Sequence, residues 1–425
     1  MKEDFLHYVW KYRKFDVANL RTVNNETVVV HSPGLHNANS GPDFFNGQVS
    51  IAQVLWAGNI EIHVRSISWY KHKHHEDPAY DNVILHVVWH FDERVYRKDG
   101  SEIPTIELQH WVSAATVAAY KKLFRNTANW IPCERDFRMV DDFTLRNWME
   151  RLFIQRLENR TDRFARDLEN LNNDWEALFF QSLAAAFGTK VNSESFRSVA
   201  QSVDFSVVRK CATQPNMLEA LLMGQAGMLE GDCEDLYFRV LKDHYSFLKL
   251  KYAIHNDHII SPKFFRLRPN NFPTIRLSQL AALYCNKPHL FSKLLEAKTK
   301  DDYYHVLHCE ANDYWDTHYS FGKQVRNTSK RLHATFLDLL LINVVLPLKF
   351  FYLRENGRFS DEEILVVSRS LKAESNTIIR NFDEIGVSAE DLLESQALLE
   401  LKTNYCDTKK CLQCAIGNKL IRKKL

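Results

Sequence analysis

The sequence has no uninterrupted run of about 20 apolar residues, the length a helix needs to cross a bilayer. Its longest apolar stretch, Phe336 to Leu346, carries Asp338 and Asn343 and meets Pro347, so it reads as a buried helix. Met1 to His7 holds no apolar segment of the signal-peptide kind. The expectation is therefore a cytoplasmic protein without a membrane partner. A dominant charge is missing too: 55 Lys and Arg oppose 53 Asp and Glu, for a net charge of +2. A chain that bound nucleic acid over its whole surface would be far more basic. Two short basic stretches, Lys71 to His75 and Lys419 to Leu425, read as solvated faces unless the fold gathers them. Internal repeats and low-complexity linkers are absent. With 45% hydrophobic and 25% charged residues, long disorder is not expected.

What the chain does have is aromatic bulk: 27 Phe, 16 Tyr and 9 Trp, which build cores and can also stack on bases. Its 425 residues suggest two or three domains. Residues 2–14 read as a helix, with Phe5, Val9 and Tyr12 at helical spacing. Strands follow at 27–31, 45–51, 58–64 and 83–89, separated by the polar turn 37–42 and the His-rich loop 71–82. In the third strand Glu61, His63 and Arg65 alternate with Ile60, Ile62 and Val64, which predicts a polar face and an aliphatic face. Asp99-Gly100 predicts a hairpin turn. From about residue 141 the pattern is helical nearly to the end. The predicted architecture is α+β: a mixed β-sheet module over 1–115, then a long all-α region over 116–425.

Several groups of residues carry chemistry. Asp43, and Glu61 with His63 eighteen to twenty residues on, place two carboxylates and an imidazole on adjacent strands. Two such carboxylates can share a hard cation, Mg²⁺ or Mn²⁺, which activates water and stabilises charge on a phosphodiester. His63 could position or activate that water, with Arg65 and His86 assisting. The alternative is plainer: Asp43 caps a turn and Glu61 pairs with Arg65 on an exposed face. A second group, His63, His72, His74, His75 and His86 with Asp77, mixes imidazole and carboxylate in a way that suits Zn²⁺, Mn²⁺ or Fe²⁺, although its spacing matches no defined motif.

The third group is Cys406-x4-Cys411-x2-Cys414. Three thiols in nine residues have metal-like spacing, and a closed Zn²⁺ site or an iron–sulfur cluster needs a fourth ligand. Cys133 is the first choice for it; Cys309 or His308 is the second. Arg266, Arg268 and Arg276, with Asn270 and Asn271, either bind phosphate bidentately or tie down a turn around Pro273. Two glycines within Leu221 to Gly227 mark close helix packing, because no Lys-Ser/Thr follows as a phosphate loop requires.

The order helix, strand, Asp43, Glu61-x-His63 resembles the PD-(D/E)XK nuclease fold over about the first 90 residues. The departure is His63, which stands where that family has Lys. The resemblance implies metal held by Asp43 and Glu61 and cleavage of nucleic acid. Ser40 to Phe44, Gly58 to His63, His75 to His86, Arg268 to Pro273 and Cys411 to Cys414 together resemble, over essentially the whole chain, an uncharacterised bacterial domain-of-unknown-function family. That second resemblance supplies no activity. The expectation is a metal-dependent nuclease or phosphodiesterase. The alternative is a non-catalytic RNA or ribonucleoprotein-binding scaffold whose cysteines hold a structural metal.

Overall fold

Strand β4 (Val54–Arg65) is the long central element around which the first half of the chain is arranged. The computed structural model describes residues 1–37, 39–125, 129–358 and 361–422. Ala38 of the polar turn and residues 423–425 of the basic tail lie outside them. Helix α1 (Glu3–Lys11) leads into β1 (Val28–Ser32), β2 (Leu35–His36) and β3 (Phe44–Ile51). Glu3 and Asp4 in its first turn and Lys11 in its last suit the helix dipole. Its apolar side buries Phe5, Leu6, Val9 and Trp10, and the Trp10 indole donates to the Pro33 carbonyl at 3.0 Å.

The sheet order is β1-β3-β4-β5-β6, with β2 beside β3. The β1–β3 and β3–β4 pairs are antiparallel. β5 (Val83–His90) and β6 (Thr105–Glu107) then pair in parallel, β5 against β4 and β6 against β5. Parallel neighbours cannot be joined by a tight turn; they need a crossover of a dozen or more residues. Here residues 66–82 supply it, with a single helical turn, α2 (Ser68–Lys71), at its start. The crossover covers the predicted polar face of β4. Glu61 and His63 are therefore buried beside Ile60 and Ile62, and only Arg65 is exposed. The Asp99-Gly100 turn forms as predicted, with Gly100 at φ +82°, but it closes an isolated Tyr96–Glu102 bridge rather than a strand pair.

The chain folds as two compact units. The first comprises 1–148, 381–387 and 401–425; the second comprises 149–380 and 388–400. The C-terminal segment thus returns to the sheet-bearing unit. Its last helix, Ala415–Arg422, packs on α3 (Ala114–Arg125), and Lys419 pairs with Asp141 at 2.7 Å.

The second unit is helical. One helical stretch, Ala334–Glu355, is long and apolar enough to cross a membrane, yet 72% of its most apolar window is buried inside the protein. Pro347 does not end it, contrary to the sequence expectation. A π turn at Leu341–Val345 precedes the proline and widens the helix. It relieves the clash between the proline ring and the preceding turn. In the helix Met217–Gln225, Gly224 lies under Tyr245, and a Cβ there would come within 2.2 Å of the ring. Glu219 is buried on the same helix. It accepts from the Trp315 indole at 2.6 Å and the Ser278 hydroxyl at 3.0 Å, and burial raises its carboxyl to about 7.

Two outcomes follow. Gly224→Ala should destabilise the protein by about 1–2 kcal/mol, because overpacking outweighs the gain in helix propensity; urea unfolding measures it. The folded pKa of Glu219 lies above its ordinary value. The stability it contributes is therefore complete below about 4.5 and lost as pH rises through about 7. Unfolding midpoints should show this decline in the natural protein and a flatter profile in Glu219→Gln.

Candidate metal centre

Antiparallel pairing sets Phe44 opposite Ile60, which brings Asp43, one residue earlier, beside the end of β4 where Glu61 sits. The backbone N–H of Asp43 donates to Glu61 Oε2 at 3.2 Å. The Asp43 carboxylate Oδ2 in turn accepts from the Ile62 N–H at 2.9 Å and lies 3.3 Å from His7 Nε2. The two carboxyl groups predicted from sequence are therefore neighbours, joined by a reciprocal pair of hydrogen bonds.

The other Glu61 oxygen, Oε1, faces nitrogen. It lies 3.3 Å from His74 Nε2 and 3.6 Å from His63 Nε2. His63 Nε2 is 3.1 Å from His72 Nδ1. Among the described residues, His63, His72 and His74 offer ligand atoms that all lie within 4.8 Å of one another. The crossover carries His72 and His74, and the Tyr80 ring stacks on His74 at 3.8 Å. Enclosure is nearly complete at the strand and opens outward: Glu61 is 4% exposed and His63 2%, whereas His72 is exposed.

This burial governs the charges. Glu61 is raised to about 9, first by loss of solvent and then by the Asp43 charge. His63 is lowered to about 2 and His86 to about 3, each first by burial and then by neighbouring imidazoles. The protein alone thus holds a protonated carboxyl against neutral imidazoles. A bound cation would reverse this, favouring the carboxylate and occupying the nitrogen lone pairs. His74 Nε2 is buried and makes no hydrogen bond. Its near neighbour is Glu61 Oε1 at 3.3 Å, and a cation between the two would engage both. His7 behaves oppositely: burial alone would lower it, but Asp43, Glu3 and Asp4 outweigh that and raise it.

His86 is fully buried behind His63, its Nε2 2.8 Å from His63 Nδ1. It therefore cannot touch a substrate. With His63 Nδ1 as the donor in that bond, His63 Nε2 carries its lone pair toward His72 and Glu61. This is how a partner behind a ligand fixes its tautomer.

Other predicted residues lie elsewhere. Arg65 is clamped to Asp92 at 2.6 Å, which also accepts from Ser66 and Ile67; it is a structural tie and does not assist at Glu61. Asp77 caps the turn Pro78–Tyr80, and His75 pairs with Glu76. Arg276 is buried, donating to Asn271 at 2.6 Å and Gln279 at 2.9 Å and lying over the Phe336 ring. It ties down the turn before Pro273 and presents no surface to a substrate. Arg268 is exposed at the start of that turn. Cys133, Cys406, Cys411 and Cys414 are all buried in the first unit. Cys309 and His308 belong to the second, where the Cys309 thiol donates to the Gln279 carbonyl.

His7 was missed from sequence, because a lone histidine in a helix carries no signal. The His-rich loop did signal His72 and His74, but only the crossover makes them face Glu61.

No curated protein and no solved structure matches the chain. A family model described as a protein of unknown function, DUF2851, matches residues 3–377, and the chain belongs to that family.

Proposed function

We propose that the first unit is a metal-dependent hydrolase that cleaves phosphodiester bonds in nucleic acid. The observation that carries this reading is the buried Glu61 carboxyl, its Oε1 3.3 Å from His74 Nε2 and 3.6 Å from His63 Nε2, beside three imidazoles whose ligand atoms lie within 4.8 Å of one another. His63, His72 and His74 would hold the cation, with Glu61 Oε1 beside His63 and His74. Three nitrogens with one oxygen suit Zn²⁺, Mn²⁺ or Fe²⁺ better than Mg²⁺, which prefers an all-oxygen shell. A cation bound there would polarise a phosphoryl oxygen and lower the pKa of a water.

The chain's own groups do the rest. Asp43 favours the protonated form of His7, 22% exposed at the edge of the site and suited to giving a proton to a leaving oxygen. His86 positions His63. Exposed His72 marks the side from which substrate enters. The choice of a nucleic-acid phosphodiester rests on the resemblance in the first 90 residues. Supporting it is the order α1, β3 antiparallel to β4, then β5 parallel, with Asp43 and Glu61 meeting at the junction.

A second reading is favoured by the depth of Glu61 and His63: a nucleic-acid-binding scaffold in which the same cation is structural. Variants separate the two. Glu61→Gln should lower Mn²⁺ or Zn²⁺ affinity at least about tenfold by titration calorimetry and abolish cleavage of DNA and RNA substrates. His7→Ala should keep cation affinity and lose about 10²–10⁴-fold in cleavage rate. A protein that binds the cation and nucleic acid but never cleaves supports the scaffold instead. His86→Phe, which removes the partner that orients His63, should weaken cation affinity about 10–100-fold with an unchanged circular dichroism spectrum. Unaltered affinity would refute that positioning role.

A further inference from the structure

Two segments of the second unit, 258–276 and 317–331, contain no Asp or Glu, although the chain as a whole has nearly as many acids as bases. The first carries Lys263, Arg266, Arg268 and Arg276; the second carries Lys323, Arg326, Lys330 and Arg331. The fold joins them directly. The Tyr319 hydroxyl donates to Asn270 Oδ1 at 3.1 Å, and the Thr274 hydroxyl donates to the Tyr319 carbonyl at 2.8 Å. Phe272 links the rings, 5.3 Å from Phe264 on one side and 6.2 Å from Tyr319 on the other. The second segment folds back on itself through β7 (His318–Ser320) and β8 (Lys323–Gln324), which sets Lys323 opposite Ser320.

Two of these cations serve the fold. Arg276 is buried in the turn before Pro273, and Lys330 is buried over the Tyr319 ring at 4.4 Å, donating to the Thr328 carbonyl at 2.6 Å. The other six are exposed, and none makes an ion pair among the described residues. Carboxylates that reach the hairpin are already engaged. Asp235 accepts from the Gly322 N–H at 3.2 Å and the Tyr314 hydroxyl at 2.8 Å, Asp316 from the Lys330 N–H at 3.1 Å, and Glu310 from the Ser329 hydroxyl at 3.2 Å. Cations gathered without counter-charge raise the local concentration of anions, and Arg in particular grips phosphate with paired donors.

The rings narrow the anion. Phe264 and Phe265 are 38% and 76% exposed, between Lys263 and Arg266. They sit in a turn in which the Leu267 N–H reaches the Phe264 carbonyl at 3.4 Å and Arg266 takes φ +62°. The Arg266 guanidinium lies 5.1 Å from the Phe265 ring centre. Exposed aromatic faces beside cations are what an unpaired strand uses, with bases on the rings and phosphates on the Lys and Arg. A duplex keeps its bases stacked on one another and gains nothing from the rings. A membrane surface is met by a helix with a continuous apolar face, whereas these rings lie in irregular chain.

We propose that segments 258–276 and 317–331 form a docking surface for single-stranded nucleic acid, with Phe265 as the stacking platform and Lys263, Arg266, Arg268, Lys323 and Arg326 as phosphate contacts. It deepens the nucleic-acid reading above and shares no residue with the Glu61 centre.

The test measures fluorescence anisotropy of labelled RNA and DNA single strands of about 20 nucleotides, and of the matching duplex, with the full chain in EDTA. The chelator separates the two readings, since strand binding is then scored whether or not the protein cleaves with metal. Both single strands should bind more tightly than the duplex. Their affinity should fall about 50-fold from about 50 to about 200 mM salt, as roughly four phosphate contacts imply. Phe265→Ala should weaken single-strand binding about 5–100-fold and leave duplex binding unchanged. Arg268→Ala with Arg326→Ala should make the salt dependence shallower by roughly two contacts. Lys293→Ala, an exposed cation outside the two segments, should change nothing. Absence of single-strand binding at low salt overturns the proposal. So does native affinity in Phe265→Ala, or binding to phosphatidylserine vesicles in preference to either single strand.

Discussion

A carboxyl group sealed between strands is the constraint on which the first unit turns. Burying an ionised carboxylate without a partner is prohibitively costly, so Glu61 is protonated in the protein alone and could be ionised only against a cation. Around it the fold makes consistent choices. Asp43 bonds back to the strand that carries Glu61, His63 and His74 turn ring nitrogens toward its free oxygen, and His86 closes the rear. A core built for stability alone would have filled this volume with aliphatic side chains. The polar cluster is therefore evidence of use, in the sense that perturbed ionisable groups collect where chemistry is done.

The chain path makes this cluster possible. Because β4 and β5 run in parallel, a crossover must pass over the sheet, and it passes over the face that holds Glu61 and His63. His72 and His74 ride on it. The same crossover brings Trp69 and Tyr80 into a small apolar core with Val83, Val95 and Ile103, which holds the loop against the strand ends. A second long-range device, the return of residues 401–422, adds a helix and three buried cysteines to the same unit.

The helical unit uses buried polar groups differently. Lys349 is buried yet satisfied by the Ala297 carbonyl, the Tyr303 hydroxyl and Glu363. Glu219 is likewise engaged, accepting from Ser278 and the Trp315 indole. These are anchors that pin helices and turns, and none of them faces an open group of ligand atoms.

Much of the architecture was legible in the sequence because local rules suffice for it. The alternation in β4, the turn at Asp99-Gly100 and the close packing at Gly224 all follow from side-chain period and steric size. Tertiary structure decided the rest. Whether the polar face of β4 met water or a crossover depended on the parallel pairing of β5, which leaves no local trace. The passage of a helix through Pro347 depended on a π turn. The placing of the C-terminal cysteines in the sheet-bearing unit depended on the chain returning over hundreds of residues. Sequence thus determined which chemistries the side chains could perform, because donor atoms and their spacing are local. Only the fold decided which of them share a volume without water, because burial and distance belong to contacts between segments far apart in the chain.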